Sequence, residues 1–364
     1  MSDVDGLALS GGPGERRIAL LAGDEVVSFV IDRGEPMVGD IVLGRVKARA
    51  GSGTFLDIGA ALPGYLPRPG AWHEGQSLLV QVTAESRQDK GAVLTDKVTF
   101  DGAIPPQTKP PAKLLAPGGL AKLLQRETSI ARLLVDHPAL LPEARQLFPA
   151  AELQRGVWQE CGAADRLELA LDRIVPLPGG GRVIFDQAAG ATLIDVDAGG
   201  LAHDEANRLA MQVIARHLRL RNIAGQIIID PIPGESAALI RRAVEYLRQA
   251  LAADPIRADI LGVTKMRMIE LVRPRRQASL SDIFMAPAEP RRNAASLALE
   301  ALQAVLAEAE ASPHRRLALL AAPAVLHYLN SRPDLLAACA ERLGRPLTVT
   351  SRDDCPGFEV SDQT

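Results

Sequence analysis

From Arg17 to Phe100 the apolar residues come in short runs: Ile18 to Leu21, Val26 to Ile31, Asp40 to Val46, Gly53 to Ile58 and Ser77 to Val82. Glycines and prolines separate them, which predicts short strands closing into a small β-barrel or sandwich. Pro105, Pro106, Pro110, Pro111 and Pro117 then crowd the stretch from Asp101 to Gly119. That density predicts a linker without regular structure, so the barrel is expected to end near Phe100. Leu120 to Val135 and Pro142 to Trp158 read as helical.

From Gly179 the order changes. Gly179, Gly180 and Gly181 predict a hairpin turn, followed by strands over Arg182 to Asp186 and Ala191 to Asp197. In the next segment Ala206, Leu209, Ala210, Val213, Ile214 and His217 recur at steps of three and four, the spacing of one helix face. Arg208, Gln212, Arg216 and Arg219 line another face. A strand over Gln226 to Asp230, a helix from Glu235 to about Ala252 and a strand over Ala258 to Val263 complete an alternating unit. Pro287 to Arg292 predicts a hinge before a helix over Ala294 to Ala311, and Pro333 to Val360 reads as a helix with two strands. The whole is a mixed α/β chain.

The 364 residues are enough for two or three domains. Lysine and arginine number 41 and aspartate and glutamate 44, a net charge of −3, which excludes binding of polyanions by bulk charge. Any nucleic-acid contact must therefore come from local basic patches. Aromatic residues make up only 3%, so each exposed ring carries information. Cys161, Cys339 and Cys355 are far apart, with no zinc-binding spacing. A reduced, cytoplasmic setting is expected, with neither a leader nor a membrane span. No Walker loop, no nucleophile elbow and no dinucleotide-binding glycine motif is present, which removes support from three common enzyme classes.

Asp195 ends one predicted strand and Asp230 the next, with one helix between them. If the strands are parallel neighbours, both carboxylates emerge at one carboxyl edge, where α/β folds bind ligands. Like charges so placed call for a hard divalent cation, Mg²⁺ first and Mn²⁺ as a substitute, which could serve hydrolysis of a phosphodiester. Asp197, on the same strand face as Asp195, could add a ligand or a base. The alternative is that strand-terminal aspartates only cap helices or start turns. Arg219 and Arg221, and a later cluster including Lys265 and Arg273, could meet phosphates or form a solvated charged face. In the barrel Phe55, Tyr65 and Lys90 suit a single RNA strand, the rings stacking on bases, unless both rings belong to the barrel core.

These segments together resemble the catalytic region of the bacterial ribonuclease E/G family. In the barrel the resemblance rests on Ile41-Val42-Leu43-Gly44-Arg45-Val46, Thr54-Phe55-Leu56-Asp57-Ile58-Gly59, Gly64-Tyr65-Leu66-Pro67 and Lys90-Gly91-Ala92-Val93-Leu94-Thr95. Further on it rests on Leu193-Ile194-Asp195-Val196-Asp197, Asn207, Ile214-Ala215-Arg216, Leu218-Arg219-Leu220-Arg221-Asn222-Ile223 and Gly225-Gln226-Ile227-Ile228-Ile229-Asp230. The resemblance implies an RNase H-like catalytic domain with an inserted S1-type OB-fold barrel. Residues 1–34 would supply N-terminal strands of the catalytic fold and 35–100 the barrel. Residues 101–164 would form a proline-rich linker and helical segment, 165–286 the catalytic domain, and 287–364 a helical and small α/β region. The implied activity is Mg²⁺-dependent endonucleolytic cleavage of single-stranded RNA, with Asp195 and Asp230 holding the metal. A barrel that retains RNA binding without turnover is the alternative.

Three departures accompany the resemblance. Asp197 stands where the family has asparagine, which adds negative charge beside the metal. The family's cysteine-pair zinc link is missing, so zinc and a zinc-linked tetramer are not expected, while a homodimer stays open. The segment 101–164 lacks the Arg-Thr element with which the family senses a monophosphorylated RNA end.

Overall fold

The computed structural model describes residues 4–67, 70–87, 90–234, 237–285 and 294–362. The chain divides into two units, Met1–Ala286 and Pro287–Thr364. In the first, β1 (Gly6–Gly12), β2 (Glu15–Ala22) and β3 (Glu25–Asp32) form an antiparallel meander. Strict alternation along β2 sends Ile18 and Leu20 to one apolar core and Ala19 and Leu21 to another, so the sheet is covered on both faces.

The barrel follows: β4 (Ile41–Ala50), β5 (Gly53–Asp57), β6 (Gly64–Leu66), β7 (Ser77–Ala84) and β8 (Val93–Thr95). Their order β4-β5-β6-β8-β7 closes back on β4, with β6 and β8 parallel, the five-stranded arrangement of an OB-type barrel. Its interior holds Val42, Val46, Leu56, Ile58, Leu66, Val80, Val82, Ala92 and Leu94.

The proline-rich stretch is not wholly irregular, because β9 (Ala112–Leu115) pairs with β4 outside the closed ring. Next come α1 (Gly118–Arg126), β10 (Arg132–Val135), α2 (Leu141–Leu147) and β11 (Glu152–Leu153). The expected helix over Leu120 to Val135 thus ends at Arg126, and Leu133 and Val135 instead point into a sheet core. β10 lies parallel to β1, giving the order β11-β10-β1-β2-β3. The first 34 residues therefore join a sheet with residues 132–153 and add no strand to the sheet that carries Asp195 and Asp230.

After α3 (Val157–Glu160) and α4 (Ala163–Leu171) that second sheet begins, with β12 (Ile174–Pro176), β13 (Arg182–Gln187) and β14 (Thr192–Asp197). It continues with α5 (His203–Leu220), β15 (Gly225–Asp230), α6 (Ala237–Leu251), β16 (Asp259–Val263) and β17 (Ile269–Arg273). The expected start of α6 at Glu235 lies outside the described residues. Strand order is β12-β13-β14-β15-β17-β16, with only the β14–β15 pair parallel. One face packs on α5 and α6 through Ile194, Ile227, Ile229, Ile214 and Leu247, while Leu193, Asp195, Asp230 and Glu270 are exposed. β17 was not expected from the sequence, since it runs through the basic cluster. A short helix, α7 (Leu280–Phe284), closes the unit with a Ser279–Asp282 capping box.

The second unit comprises α8 (Ala294–Ala311), β18 (Leu317–Ala321), α9 (Pro323–Ser331), α10 (Pro333–Leu343), β19 (Thr348–Ser351) and β20 (Phe358–Asp362). Its sheet has the order β19-β18-β20, and its core joins Ala298, Ala301, Val305, Leu319, Val325 and Leu329. The expected hinge at Pro287 to Arg292 lies outside the described residues. Among the described residues no helix is long and apolar enough to cross a membrane.

Candidate functional site

Asp195 and Asp230 are register partners in the parallel β14–β15 pair, the last pair of that ladder. Alternation sends Ile194, Val196 and Ile229 into the core and leaves both carboxylates exposed on the opposite face. Burial first, and the neighbouring Asp195 charge second, raise the Asp230 carboxyl above its ordinary value. Two hard oxygen donors side by side in a mutually repulsive pair suit a divalent cation that keeps several waters. Among the described residues no group of three or more His, Cys, Asp or Glu side chains is gathered to hold a metal. Asp195 and Asp230 are the candidate donors.

Asp197 shares the strand face but is drawn the other way. Its carboxylate accepts the Gly199 N–H at 3.0 Å and pairs with Arg182 at 3.0 Å. The Gly199 hydrogen bond first, then Arg182, hold it below the usual carboxylate range. A base poised near neutrality would need the opposite shift.

The loop leaving Asp230 is pinned from α5. Asn207, fully buried, donates to the Ile232 carbonyl at 3.0 Å and accepts the Ile232 N–H at 2.9 Å. The signal in the sequence was a polar residue on a helix face otherwise made of Ala210, Met211, Ile214 and Leu218. Asn207→Ala should leave two buried backbone groups unpartnered and cost about 2–3 kcal/mol, read as an earlier urea midpoint.

The expected phosphate contacts divide. Lys265 is exposed in the turn between β16 and β17, and β17 lies beside β15 with Ile269 opposite Ile229. Arg273 is 1% exposed: it meets Asp254 through Nε at 2.8 Å and gives a further N–H to the Ile223 carbonyl at 3.0 Å. Period-two alternation explains this, since Arg273 shares the covered face with Ile269 and Leu271. Arg221 is likewise buried. It donates to His217 Nδ1 at 2.9 Å and to the carbonyls of Asp172 and Leu169, with its guanidinium over the Phe185 ring. Burial first, then Arg221, push His217 down to about 3, so it stays a neutral acceptor. Arg219, 9% exposed, lines a cavity of about 450 Å³ with Lys122, Arg126, Arg276 and Glu85. Arg221 and Arg273 are thus corrected from phosphate contacts to internal braces.

On the barrel, Phe55 and Tyr65 face each other across β5 and β6, their ring centroids 5.4 Å apart. Both are half-buried and lie outside the barrel core. A Cβ at Gly53 would come within 2.5 Å of the Tyr65 ring, so a residue without a side chain is needed beneath it. The Tyr65 hydroxyl hydrogen-bonds Ser52 at 3.0 Å, and Lys90 is exposed at the start of the segment leading to β8, whose Val93 pairs with Tyr65. Glu85 was not anticipated. It follows β7 and accepts the Ala278 N–H at 3.0 Å and the Val38 N–H at 3.4 Å, fastening the barrel to the segment after β17. Burial raises its carboxyl.

Residues 126–276 match the family model described as Ribonuclease E/G family, a span that contains Asp195, Asp230 and Lys265 but not the barrel. Ribonuclease G of Salmonella typhimurium is 34% identical over 128 residues, 33% of this chain and 26% of that protein. Ribonuclease E of Synechocystis sp. is 30% identical over 182 residues, 44% of this chain and 27% of that protein. Ribonuclease E of Nostoc sp. is 36% identical over 123 residues, 32% of this chain and 18% of that protein. The matched stretch thus spans about a quarter of the length of these relatives or less. Residues 126–276 are similar to the ribonuclease E/G family.

Proposed function

We propose that the protein is an endoribonuclease that hydrolyses phosphodiester bonds of single-stranded RNA at Asp195 and Asp230, with Mg²⁺ as its metal. The observation that carries this reading is the register pairing of the two carboxylates on an exposed sheet face, within the segment that matches the family. Asp195 and Asp230 would hold the cation between them. Mg²⁺ there would supply activation of a water and charge neutralisation at the attacked phosphate. Phe55 and Tyr65 would stack on bases, and Lys90 and Lys265 would meet phosphates, so that the strand is held while the bond is cut. A cytoplasmic setting goes with such a substrate.

The test uses an end-labelled, unstructured RNA and the full chain. Internal cuts should appear with Mg²⁺, weaken or persist with Mn²⁺, and vanish with EDTA. RNA retention without cuts in any metal would sink the catalytic reading and leave an RNA-binding relative of the family.

A further inference from the structure

The turn Thr264–Met268 joins β16 to β17 beside the end of β15, and it is built with more care than a solvated loop requires. Thr264 Oγ1 accepts the N–H groups of Met266 at 3.1 Å and Met268 at 3.2 Å. The Thr264 N–H donates to the Met268 carbonyl at 2.8 Å, and the Arg267 N–H to the Thr264 carbonyl at 2.9 Å. Arg267 sits at φ 68°, in the left-handed region that glycine enters freely and an L side chain rarely does. From there its guanidinium donates to the Gly234 carbonyl at 3.1 Å, on the loop that Asp230 begins. Met266, next to it, is 75% exposed, more than any other large hydrophobic residue among those described. An arginine held where glycine would be at ease stores backbone strain of the kind that clusters at functional sites, and beside it a thioether arm is displayed to solvent between two cations.

We propose that this turn grips the RNA strand beside the bond that is cut. Arg267 contacts a backbone phosphate and Met266 packs against the face of a flanking base. The inference rests on the nuclease reading for its substrate. Its chemistry is that of a cation pair spaced around an apolar wedge, which fits alternating phosphates and bases. Arg267 has one N–H fixed on the Gly234 carbonyl of the loop that follows Asp230, which sets where a phosphate bound to it lies relative to the carboxylates.

The deciding variant is Arg267→Gly, because it relieves the backbone strain while removing the guanidinium. Thermal melting should be unchanged or higher, while KM for the unstructured RNA rises about tenfold with kcat nearly unchanged, and the salt slope of binding falls by about one. Arg267→Lys should recover part of the loss, and Met266→Ser should raise KM about threefold. Affinity is measured in parallel with a fluorescent 12-nucleotide RNA on an Asp195→Asn background. If the wild type cuts and Arg267→Gly matches it in both KM and affinity, the grip is wrong and the nuclease reading stands. If the wild type never cuts but Arg267→Gly still weakens affinity, the grip holds and the nuclease reading falls.

Discussion

Asp230→Asn should abolish the proposed cleavage, by about a thousandfold or more, and at the same time make the protein harder to melt at neutral pH. The first half follows from the donor pair: without one of its two carboxylates the site has no second oxygen donor of full charge. The second half follows from the raised Asp230 carboxyl, which burial and the Asp195 charge keep protonated to higher pH than in the unfolded chain. Across the window from the ordinary value of 3.8 up to the raised one, the folded state binds more protons than the unfolded state. Stability therefore falls as pH rises through that window and stays lower above it. Asparagine removes this loss, so the melting temperature should rise by roughly 2 °C at neutral pH, a modest figure because solvent screens so exposed a carboxyl. The gain should disappear below the ordinary carboxylate range. Calorimetry at pH 7 and pH 3.5 on wild type and variant, beside the cleavage assay, decides it. Loss of activity with a lower melting temperature at pH 7 would mean that Asp230 is a fold residue, not a strained site residue.

Arg273→Ala unfolds the first unit before it affects RNA. Its side chain and that of Asp254 are 2% and 3% exposed, so removing the guanidinium leaves a carboxylate buried and alone. Such a break costs about 3–5 kcal/mol, a large share of the stability of an ordinary domain. Arg273→Met combined with Asp254→Leu should recover most of it, because the desolvation of both ions is avoided together. Urea unfolding of the single and double variants tests this directly. A single variant of normal stability that binds RNA more weakly would return Arg273 to the role expected of it from its place in a basic cluster.

Arg273 also shows where sequence reasoning stopped. The pairing of Asp195 with Asp230 was readable because two neighbouring strands joined by one helix permit few arrangements, although β14 runs on past Asp195 to Asp197 rather than ending at it. Phe55 and Tyr65 were readable as a pair but not as rings outside the barrel core, since alternation names a face without saying which face is covered. The basic cluster was misread because charge dominated its appearance. Ile269, Glu270, Leu271, Val272 and Arg273 alternate as a strand does, and that period sends the arginine inward. Arg221 was hidden in the same way, its partners being backbone carbonyls that no motif records. The pairing of β1 with β10 was out of reach, because more than a hundred residues separate them and neither carries a distinctive pattern. Glu85 left no trace at all in the sequence, as its two acceptor contacts are with backbone amides contributed by distant segments.

The two ends of the barrel segment meet. The carboxylate of Asp32, the last residue of β3, accepts the Gly119 N–H at 2.8 Å, and Gly119 lies in the first turn of α1. The chain therefore departs from its host sheet and returns to it at nearly one point. Seen this way the barrel is a detour in the wiring, whose two ends are joined by the Asp32–Gly119 hydrogen bond while Glu85 ties its far side to the segment after β17. The part proposed to hold RNA and the part that carries the paired aspartates are then insertion and host within one continuous chain.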